Sequence, residues 1–253
     1  MMRHSLTIAS KRILARLPRS WRQSLRRSAY GRQVRSGRFV LYEPEFHRLG
    51  DWIGSGDWVI DVGANIGIYT IRCSDLVGPK GRVIALEPVP ATFELLASNC
   101  GWARHRNITL LNLAASDHVH STVIRIPRAA SGLDDHFSAE LVKPNEASSN
   151  TEDSSSLVPS HLVEEEDRVA ILGAPLDGLM PSPPQRIKLI KIDTEGHEIH
   201  VLKGADRLIR RDRPVIILEA NKEAATYLRD LGYSIAHAPG SPNYVAEPAP
   251  IPF

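Results

Sequence analysis

The sequence predicts an α/β fold in which a doubly wound, parallel sheet is covered by helices on both faces. From Trp58 onward, apolar segments of strand length alternate with longer segments that have helical periodicity. Two apolar segments, Trp58–Val62 and Ile187–Ile192, are nearly continuous, as is typical of strands buried on both faces. The composition, 42% hydrophobic and 24% charged, is typical of a folded globular chain.

Each predicted element has its own pattern. Runs rich in Val, Ile and Leu indicate strands at Trp58–Val62, Arg82–Leu86, Ile108–Leu113, Ile187–Ile192 and Pro214–Leu218. Helical periodicity indicates a first helix that ends near Val77 and further helices at Pro90–Gly101, Glu198–Leu208 and Lys222–Leu231. Short strands near Tyr233–Ala238 and Tyr244–Val245 complete a main domain at residues 39–253.

Residues 1–38 form a segment that we call the basic arm. It holds eleven of the 31 Lys and Arg residues and no acidic residue, which leaves residues 39–253 with a net charge of −9. Leu14, Leu17, Trp21 and Leu25 recur at nearly helical spacing, so we predict one or two short amphipathic helices interrupted near Pro18. Three roles stay open: packing on the main domain, peripheral contact with an anionic membrane, and contact with RNA or a protein partner.

Residues 118–186 interrupt the alternation and predict a long, partly disordered insertion. Residues 134–167 carry ten acidic side chains and one lysine, so this stretch buries too little apolar surface to offset its ordering entropy. Short strands are expected at its edges, at Thr122–Pro127 and Val169–Leu172. The insertion is either a lid over a site or an uninvolved excursion.

Cysteine content and hydropathy predict the compartment. Two cysteines are too few for a disulfide framework, and no apolar stretch reaches the ~18 residues that an integral membrane span needs. The first forty residues never build the continuous apolar core of a cleavable secretion signal. We therefore predict a cytoplasmic protein, peripheral to a membrane if the basic arm binds one.

The turn after the first strand is the strongest chemical signal. In Asp61-Val-Gly-Ala-Asn-Ile-Gly67 the glycines permit a sharp turn and close approach of a ligand to the backbone. The helix that follows offers unpaired N–H groups, so Gly63, Asn65 and Gly67 are candidate ligand contacts. A dinucleotide fingerprint would need glycine in place of Asn65, which disfavours a nicotinamide-dependent oxidoreductase. Asn65 either shapes the turn or contacts the ligand.

Acidic residues accompany three consecutive strands. Asp61 lies in the first strand, Glu87 ends the second and Asp117 follows the third. Ligands of doubly wound sheets bind at the carboxyl ends of the strands, so these side chains are expected to converge on one nucleoside. An ionised carboxylate at the position of Glu87 accepts hydrogen bonds from ribose hydroxyls.

A second cluster of titratable groups, Asp193-Thr-Glu-Gly-His-Glu198, follows the strand Ile187–Ile192 and opens a helix. Asp193 and Glu195 are candidate catalytic residues that would orient a substrate hydroxyl. His197 is either a general base or an exposed histidine at a helix start. Glu198 is expected to satisfy N–H groups at the start of the helix, as a capping residue does.

Two polar residues, Glu219 and Asn221, follow the next strand. We expect them to lie beside Asp193 and to hold a substrate hydroxyl. A hard cation such as Mg²⁺ on Asp193, Glu219 and Asn221 is the less favoured alternative, because oxygen ligands in this arrangement also suit a divalent metal.

Six motifs in this order resemble the FkbM family of S-adenosylmethionine-dependent methyltransferases: Asp61–Gly67, Glu87-Pro88, Ala115-Ser-Asp117, Ile190–Glu198, Val201–Ala205 and Pro214–Glu219. The resemblance covers residues 39–235, and the Asp-x-Glu-Gly-x-Glu element is its most specific part. It implies the seven-stranded, Rossmann-like class I methyltransferase sheet and O-methylation of a hydroxyl on a sugar, glycolipid or other natural product. The acidic insertion is longer than the usual linker of the family, and the basic arm has no counterpart.

The resemblance also implies roles for residues. It makes Asp61 and Gly63 contacts of the methionyl part of S-adenosylmethionine, Glu87 the ribose acceptor and Asp117 the contact of the adenine amino group. The sulfonium and α-amino groups are cationic, so a crevice rimmed by carboxylates suits them. The implied acceptor is a small molecule or a glycan.

Two other functions are alternatives to methylation of a small molecule or a glycan. A catalytically silent protein would keep the fold and dock to a membrane or a partner, but the intact glycine turn and strand-end acids argue against it. Nucleic-acid methylation is disfavoured because the main domain is acidic and has no basic face interleaved with aromatic residues.

Overall fold

The structure, a computed structural model, describes residues 18–125, 140–141, 168–179 and 185–249. The helices in these ranges are α1 Arg19–Arg35, α2 Pro44–His47, α3 Leu49–Trp52, α4 Ile68–Val77, α5 Pro90–Cys100, α6 Leu176–Leu179, α7 Glu198–Lys203, α8 Asp206–Asp212 and α9 Lys222–Asp230. The strands are β1 Trp58–Val62, β2 Arg82–Leu86, β3 Ile108–Leu111, β4 Ala114–Ala115, β5 His120–Arg125, β6 Glu140–Leu141, β7 Arg168–Ala174, β8 Ile187–Ile192, β9 Val215–Glu219, β10 Tyr233–His237 and β11 Asn243–Pro248.

The larger sheet has seven strands in the order β10-β11-β9-β8-β1-β2-β3. The strands from β9 to β3 are parallel to their neighbours, whereas β11 is antiparallel to both β9 and β10. Strand β1 is central, since Ile60 faces Ile84 of β2 on one side and Ile190 of β8 on the other. The predicted doubly wound, seven-stranded sheet is thereby confirmed.

Helices bury both faces of this sheet, which explains why its central strands are apolar. On one face, side chains of α7, α8 and α9 form a buried cluster with Ile60, Ile190 and Leu218. On the other face, side chains of α2, α3 and α4 form a cluster with Val59 and Leu189. Because successive residues of a strand point to opposite faces, each strand residue meets one of these two layers.

A second sheet has four strands in the order β4-β7-β5-β6. Strands β5 and β7 are antiparallel, with Ser121 facing Leu172, and they overlap the two strands expected at the edges of the insertion. Strand β4 pairs with β7 in parallel, which attaches this sheet to the chain that follows β3. Most of the acidic run of the insertion lies outside the described residues.

Two predicted elements are shorter in the structure than in the sequence analysis. The helix expected at Glu198–Leu208 is divided into α7 and α8, because Gly204 packs so closely that a Cβ there would overlap the carbonyl oxygen of Ser116. Strand β3 ends before Asn112, whose side-chain amide donates to the carbonyl oxygen of Glu87 at 2.8 Å. Both endings lie where the chain turns toward the carboxyl ends of the strands.

Helix α1 is the described part of the basic arm and lies against α5. Tyr30 and Val34 join a buried cluster with Leu95, and Arg27 forms an ion pair of 2.9 Å with Glu94. The helix begins directly after Pro18, whose fixed φ and missing N–H suit a helix start. Residues 1–17 lie outside the described ranges. None of the helices within those ranges combines the length and apolar character that a bilayer-spanning segment needs.

Candidate active site

A cavity, which we call the main cavity, opens at the carboxyl edge of the larger sheet. It encloses about 790 Å³ of space, part of it open to solvent. Its apolar wall includes Val62, Leu86, Val89, Leu113 and Ile124. Its polar lining comes from the turns after β1, β2 and β8 and consists of Gly63, Asn65, Glu87, Asp193, Thr194, Glu195 and His197.

The turns after β1 and β8 are in direct backbone contact at Gly63. This residue has a φ of +71°, and a Cβ there would overlap the carbonyl oxygen of Asp193. The N–H of Asp193 also donates to the carbonyl oxygen of Val62 at 3.1 Å. Glycine is therefore required at position 63 both by backbone conformation and by space.

Glu87 is buried beside the first of these turns, with 6% of its surface exposed. Its two carboxylate oxygens accept from the backbone N–H groups of Asn65 and Val89, each at 3.0 Å. Burial raises the pKa of Glu87 to about 7. A carboxylate oxygen has two lone pairs, so each keeps one acceptor position after these bonds.

Asn65 also lines this cavity and holds an unused acceptor. Its φ of +52° is one that asparagine tolerates better than most residues. The side-chain oxygen Oδ1 is buried and has no hydrogen-bond partner in the part of the chain that the structure describes. A buried carbonyl-type oxygen without a donor is costly, so this site suits a ligand that brings a donor.

Asp61 and Gly67 support the first turn from behind and do not line the main cavity. Asp61 is 1% exposed and accepts a hydrogen bond of 2.5 Å from the Thr70 hydroxyl of α4. Burial raises the pKa of Asp61 to about 6. Gly67, with a φ of +92°, starts α4, and a Cβ there would lie 2.7 Å from Leu96 of α5.

The second turn presents its first two acids to the cavity. Asp193 keeps 47% of its side chain exposed and accepts a hydrogen bond of 3.0 Å from the buried ammonium group of Lys191. Lys191 lies 5.0 Å from the centre of the Tyr69 ring, a cation–π contact that helps to hold it in the core. Glu195 is exposed and has a φ of +51°.

Glu198 holds the second turn together from inside. It is 1% exposed, and its Oε1 accepts from the N–H and hydroxyl of Thr194 and from the N–H of Gly196. Its Oε2 accepts from the side-chain amide of Asn221 at 3.1 Å. The oxygen of that amide caps α9 by accepting from the N–H of Ala224.

Glu219, like Asn221, lies outside the lining of the main cavity. It ends β9 and is partly buried. Burial and the neighbouring carboxylates of Asp193 and Glu198 raise the pKa of Glu219. Both residues expected to bind substrate therefore lie behind the second turn.

His197 lines the cavity and belongs to a cluster of histidines. Its Nε2 lies 3.0 Å from the Ser116 hydroxyl, and its ring stacks on His200 with 4.5 Å between ring centres. Asp117 lies 2.9 Å from Nδ1 of His200 and 2.6 Å from Nδ1 of His118. The hydrogen bond to His200 holds the pKa of Asp117 well below its usual range, whereas burial lowers the pKa of His197 to about 4.

The structure thus divides the predicted site residues into two groups. The main cavity is lined by Gly63, Asn65, Glu87, Asp193, Glu195 and His197. Outside its lining are Asp61, Gly67, Asp117, Glu219 and Asn221, and all of them except Glu219 support a residue or a turn that does line it. Within the described ranges, no group of three or more His, Cys, Asp or Glu side chains is arranged to hold a metal ion.

Three contributors to the site were missed in the sequence analysis. Lys191 carried a signal, since a lysine inside a buried apolar strand needs a partner, and that partner is Asp193. Ser116 carried a weak signal as part of the Ala115-Ser-Asp117 motif. No local sequence pattern indicates Ile124 as a site residue, because it reaches the cavity only through the pairing of β5 in the second sheet.

Comparison with known proteins identifies a matching domain family and two similar proteins. The sequence profile of the methyltransferase FkbM domain matches residues 61–235. The chain is 30% identical over 162 residues to the hexuronic acid methyltransferase AglP of Haloferax volcanii, covering 64% of this chain and 55% of that protein. It is 26% identical over 159 residues to Methyltransferase 1 of Beauveria bassiana, covering 59% of this chain and 58% of that protein. The chain therefore spans little more than half the length of these two relatives.

Among solved structures, an FkbM methyltransferase from Methylobacillus flagellatus matches with a TM-score of 0.48 and 19% identity, covering 76% of this chain and 43% of that one. The matched domain at residues 61–235 makes up most of the chain and includes both turns of the main cavity. The chain belongs to the FkbM methyltransferase family.

Proposed function

We propose that the protein transfers a methyl group from S-adenosylmethionine to a hydroxyl group of a saccharide or related natural product. One observation carries the proposal. The main cavity joins the glycine turn, with its acceptors Asn65 and Glu87, to a second turn that presents two carboxylates and a histidine. The first half suits a cationic nucleoside, and the second half suits a hydroxyl that has to lose a proton.

The first half fits the cofactor. The free Oδ1 of Asn65 suits an ammonium donor, and the remaining lone pairs of Glu87 suit ribose hydroxyls. S-adenosylmethionine, when bound, supplies a methyl group on a good leaving group. In this proposal Asp61 and Gly67 position the turn and do not touch the cofactor directly.

The second half is assigned to the acceptor. His197 is neutral at pH 7 because its pKa is lowered, and the neutral ring is the form that accepts a proton. Ser116 lies 3.3 Å from Asp117 and 3.0 Å from His197. If its hydroxyl donates to Asp117, Nε2–H of His197 donates to Ser116 and the lone pair of the ring is on Nδ1. We therefore assign Asp117 to orienting His197 in place of binding adenine.

The remaining residues support the choice of acceptor. Asp193 and Glu195 orient the hydroxyl, while Asn221 holds the second turn through Glu198. The relative AglP is a hexuronic acid methyltransferase, which favours a sugar-containing acceptor. The net charge of −9 on residues 39–253 disfavours nucleic acid. The eleven basic residues of the basic arm favour peripheral contact with an anionic surface.

The test has two steps. Calorimetry with S-adenosylmethionine is expected to give one site per chain, and labelled cofactor is expected to transfer its methyl group to oligosaccharides that contain uronic acid. His197→Ala should lower turnover by ~10²–10⁴-fold with unchanged cofactor affinity, because the proton acceptor is lost. The matched control His47→Ala removes an exposed histidine of α2 and should leave both values unchanged.

The outcomes separate the alternatives. Absence of cofactor binding would favour the catalytically silent protein. Full turnover in Asp193→Ala, Glu195→Ala and His197→Ala alike would refute the proposed acceptor side of the cavity.

A further inference from the structure

Helix α1 carries an apolar pair that the fold does not use. Trp21 and Leu25 are 66% and 50% exposed. The residues of α1 that face the main domain are Tyr30, Gly31 and Val34. At about 100° per residue, Trp21 and Leu25 lie on the side of the helix opposite Tyr30 and Val34. Their exposure is therefore a second apolar face and not the edge of the packed one.

An exposed arginine extends this outward face. Arg32 continues the line of Trp21 and Leu25 along the helix, at spacings of four and seven residues, and it is exposed. The whole basic arm contains eleven basic residues and no acid, so nothing in its sequence neutralises the face. Tryptophan and leucine among arginines are typical of a helix that lies in the interface of an anionic bilayer.

The same helix is aligned with the main cavity. Arg27 pairs with Glu94 near the start of α5, while Gly31 and Arg35 contact Trp102 just beyond its end. The two helices therefore run in the same direction. Trp21 precedes Arg27 by six residues of α1. At a rise of 1.5 Å per residue, Trp21 therefore lies ~9 Å from Arg27 along the helix axis, in the direction of the start of α5.

The start of α5 borders the main cavity. The residues that precede this helix, Pro88 and Val89, line the main cavity. The end of α1 that carries Trp21 and Leu25 is thus on the cavity side of the molecule. The other basic residues of the arm, Arg3, Lys11, Arg12 and Arg16, are joined to the chain at this same end.

We propose that the outward face of α1 docks on an anionic lipid bilayer and holds the mouth of the main cavity at the headgroups. The acceptor hydroxyl then belongs to a membrane-resident molecule such as a glycolipid, a point that rests on the proposed methyl transfer. An RNA partner would use the arginines but would leave Leu25 without a role, and the acidic main domain opposes it.

The experiment uses the full chain and vesicles of phosphatidylcholine, with or without phosphatidylglycerol, in a sedimentation assay. Binding is expected only to the anionic vesicles and is expected to weaken with salt. The double substitution Trp21→Ala/Leu25→Ala should weaken binding at least tenfold. Arg32→Glu changes two units of charge and should weaken it ~20-fold.

The matched control replaces an exposed basic residue elsewhere in the molecule. Arg229→Glu reverses an exposed charge on α9 and should have a much smaller effect than Arg32→Glu. Equal binding by the parent and the Trp21/Leu25 double variant would overturn the proposal, as would binding to an RNA homopolymer in preference to anionic vesicles.

Hydrogen exchange on the bound protein tests the orientation. Protection is expected in α1 and in residues 88–95, with none in α8, and protection of α8 without residues 88–95 would overturn the placement of the cavity mouth. Calorimetry with S-adenosylmethionine on the same samples separates the two proposals. Vesicle binding without cofactor binding refutes the methyl transfer alone, and cofactor binding without vesicle binding refutes the docking alone.

Discussion

The two turns that frame the main cavity use their acids in opposite ways. Around the first turn, Asp61 and Glu87 are buried and already accept hydrogen bonds from the protein. In the second turn, Asp193 and Glu195 are exposed at the cavity, and only Glu198 is buried. The position of an acid at the end of a strand therefore does not decide its role. The two sets of acids differ in burial, since Asp193 in the second turn also accepts a hydrogen bond, from Lys191.

The two turns also differ in what holds them in place and in which groups they present to the cavity. The first turn is fixed by contacts that leave a few defined acceptors toward the cavity, which suits a cofactor of constant shape. The second turn is fixed from inside by Glu198, whereas Asp193 and Glu195 are exposed at the cavity, where an acceptor can reach them. The following predictions test this division.

The largest effect is expected where the two turns touch. Gly63→Ala would place a methyl group on the carbonyl oxygen of Asp193 and force a φ of +71° on alanine. We expect the free energy of unfolding in urea to fall by about 4 kcal/mol or more. Gly56→Ala is the control, because its φ is +93° but a Cβ there meets nothing within 4 Å. It should cost about 1–2 kcal/mol, and equal losses in both variants would contradict the contact between the turns.

Removing the carboxylate of Glu198 should destabilise the second turn and leave the first turn intact. Glu198→Ala deprives the donors of Thr194, Gly196 and Asn221 of their shared acceptor, so we expect a loss of about 2–3 kcal/mol in urea unfolding. Affinity for S-adenosylmethionine should stay within a few-fold of the parent, since the first turn does not depend on Glu198. Exposed Glu223 provides the control, and its replacement by alanine should change stability by less than about 0.5 kcal/mol. A large loss of cofactor affinity in Glu198→Ala would remove the distinction between the turns.

The smallest effect is a pH dependence. As the pH rises, the contribution of Glu87 and Asp61 to stability should fall, whereas the affinity for S-adenosylmethionine should rise. The folded-state pKa of Glu87 is raised to about 7, so the folded protein binds more protons than the unfolded chain from about pH 4.5 to 7. This contribution to stability therefore falls as pH rises through that range, and Asp61, raised to about 6, acts in the same direction. Cofactor affinity should instead rise up to ~10-fold between pH 6 and 8, because the ionised carboxylate is the better acceptor. Calorimetry across this range should lose the trend in Glu87→Gln, and an unchanged trend there would exclude Glu87 as its source.

The larger sheet could be predicted from the sequence because the patterns that define its strands lie within the strands and the residues that follow them. Strands β1, β2 and β8 have the predicted bounds, since each is an apolar run that is followed directly by a glycine or an acidic residue. The break between α7 and α8 was missed because it depends on Ser116, which is distant in sequence from Gly204. The second sheet likewise needs pairing between β5 and β7 across the whole acidic run.

The strand ends predicted that the candidate residues share one edge of the sheet, because the carboxyl ends of parallel strands meet there. The structure places six of these residues in the lining of one cavity and the other five outside it. Which side chains face the cavity depends on hydrogen bonds such as Thr70 to Asp61 and His200 to Asp117. Those bonds join residues from different elements, so no local pattern encodes them.

The pairing of β5 with β6 has a practical consequence for protein engineering. Arg125 and Glu140 are paired in antiparallel register, so their Cα atoms lie about 5 Å apart. A reporter domain whose termini are adjacent can be inserted between these two residues while the pairs that Ile124 forms with Leu141 and Val169 stay in place. The connection between β5 and β6 is therefore a practical site for building a biosensor.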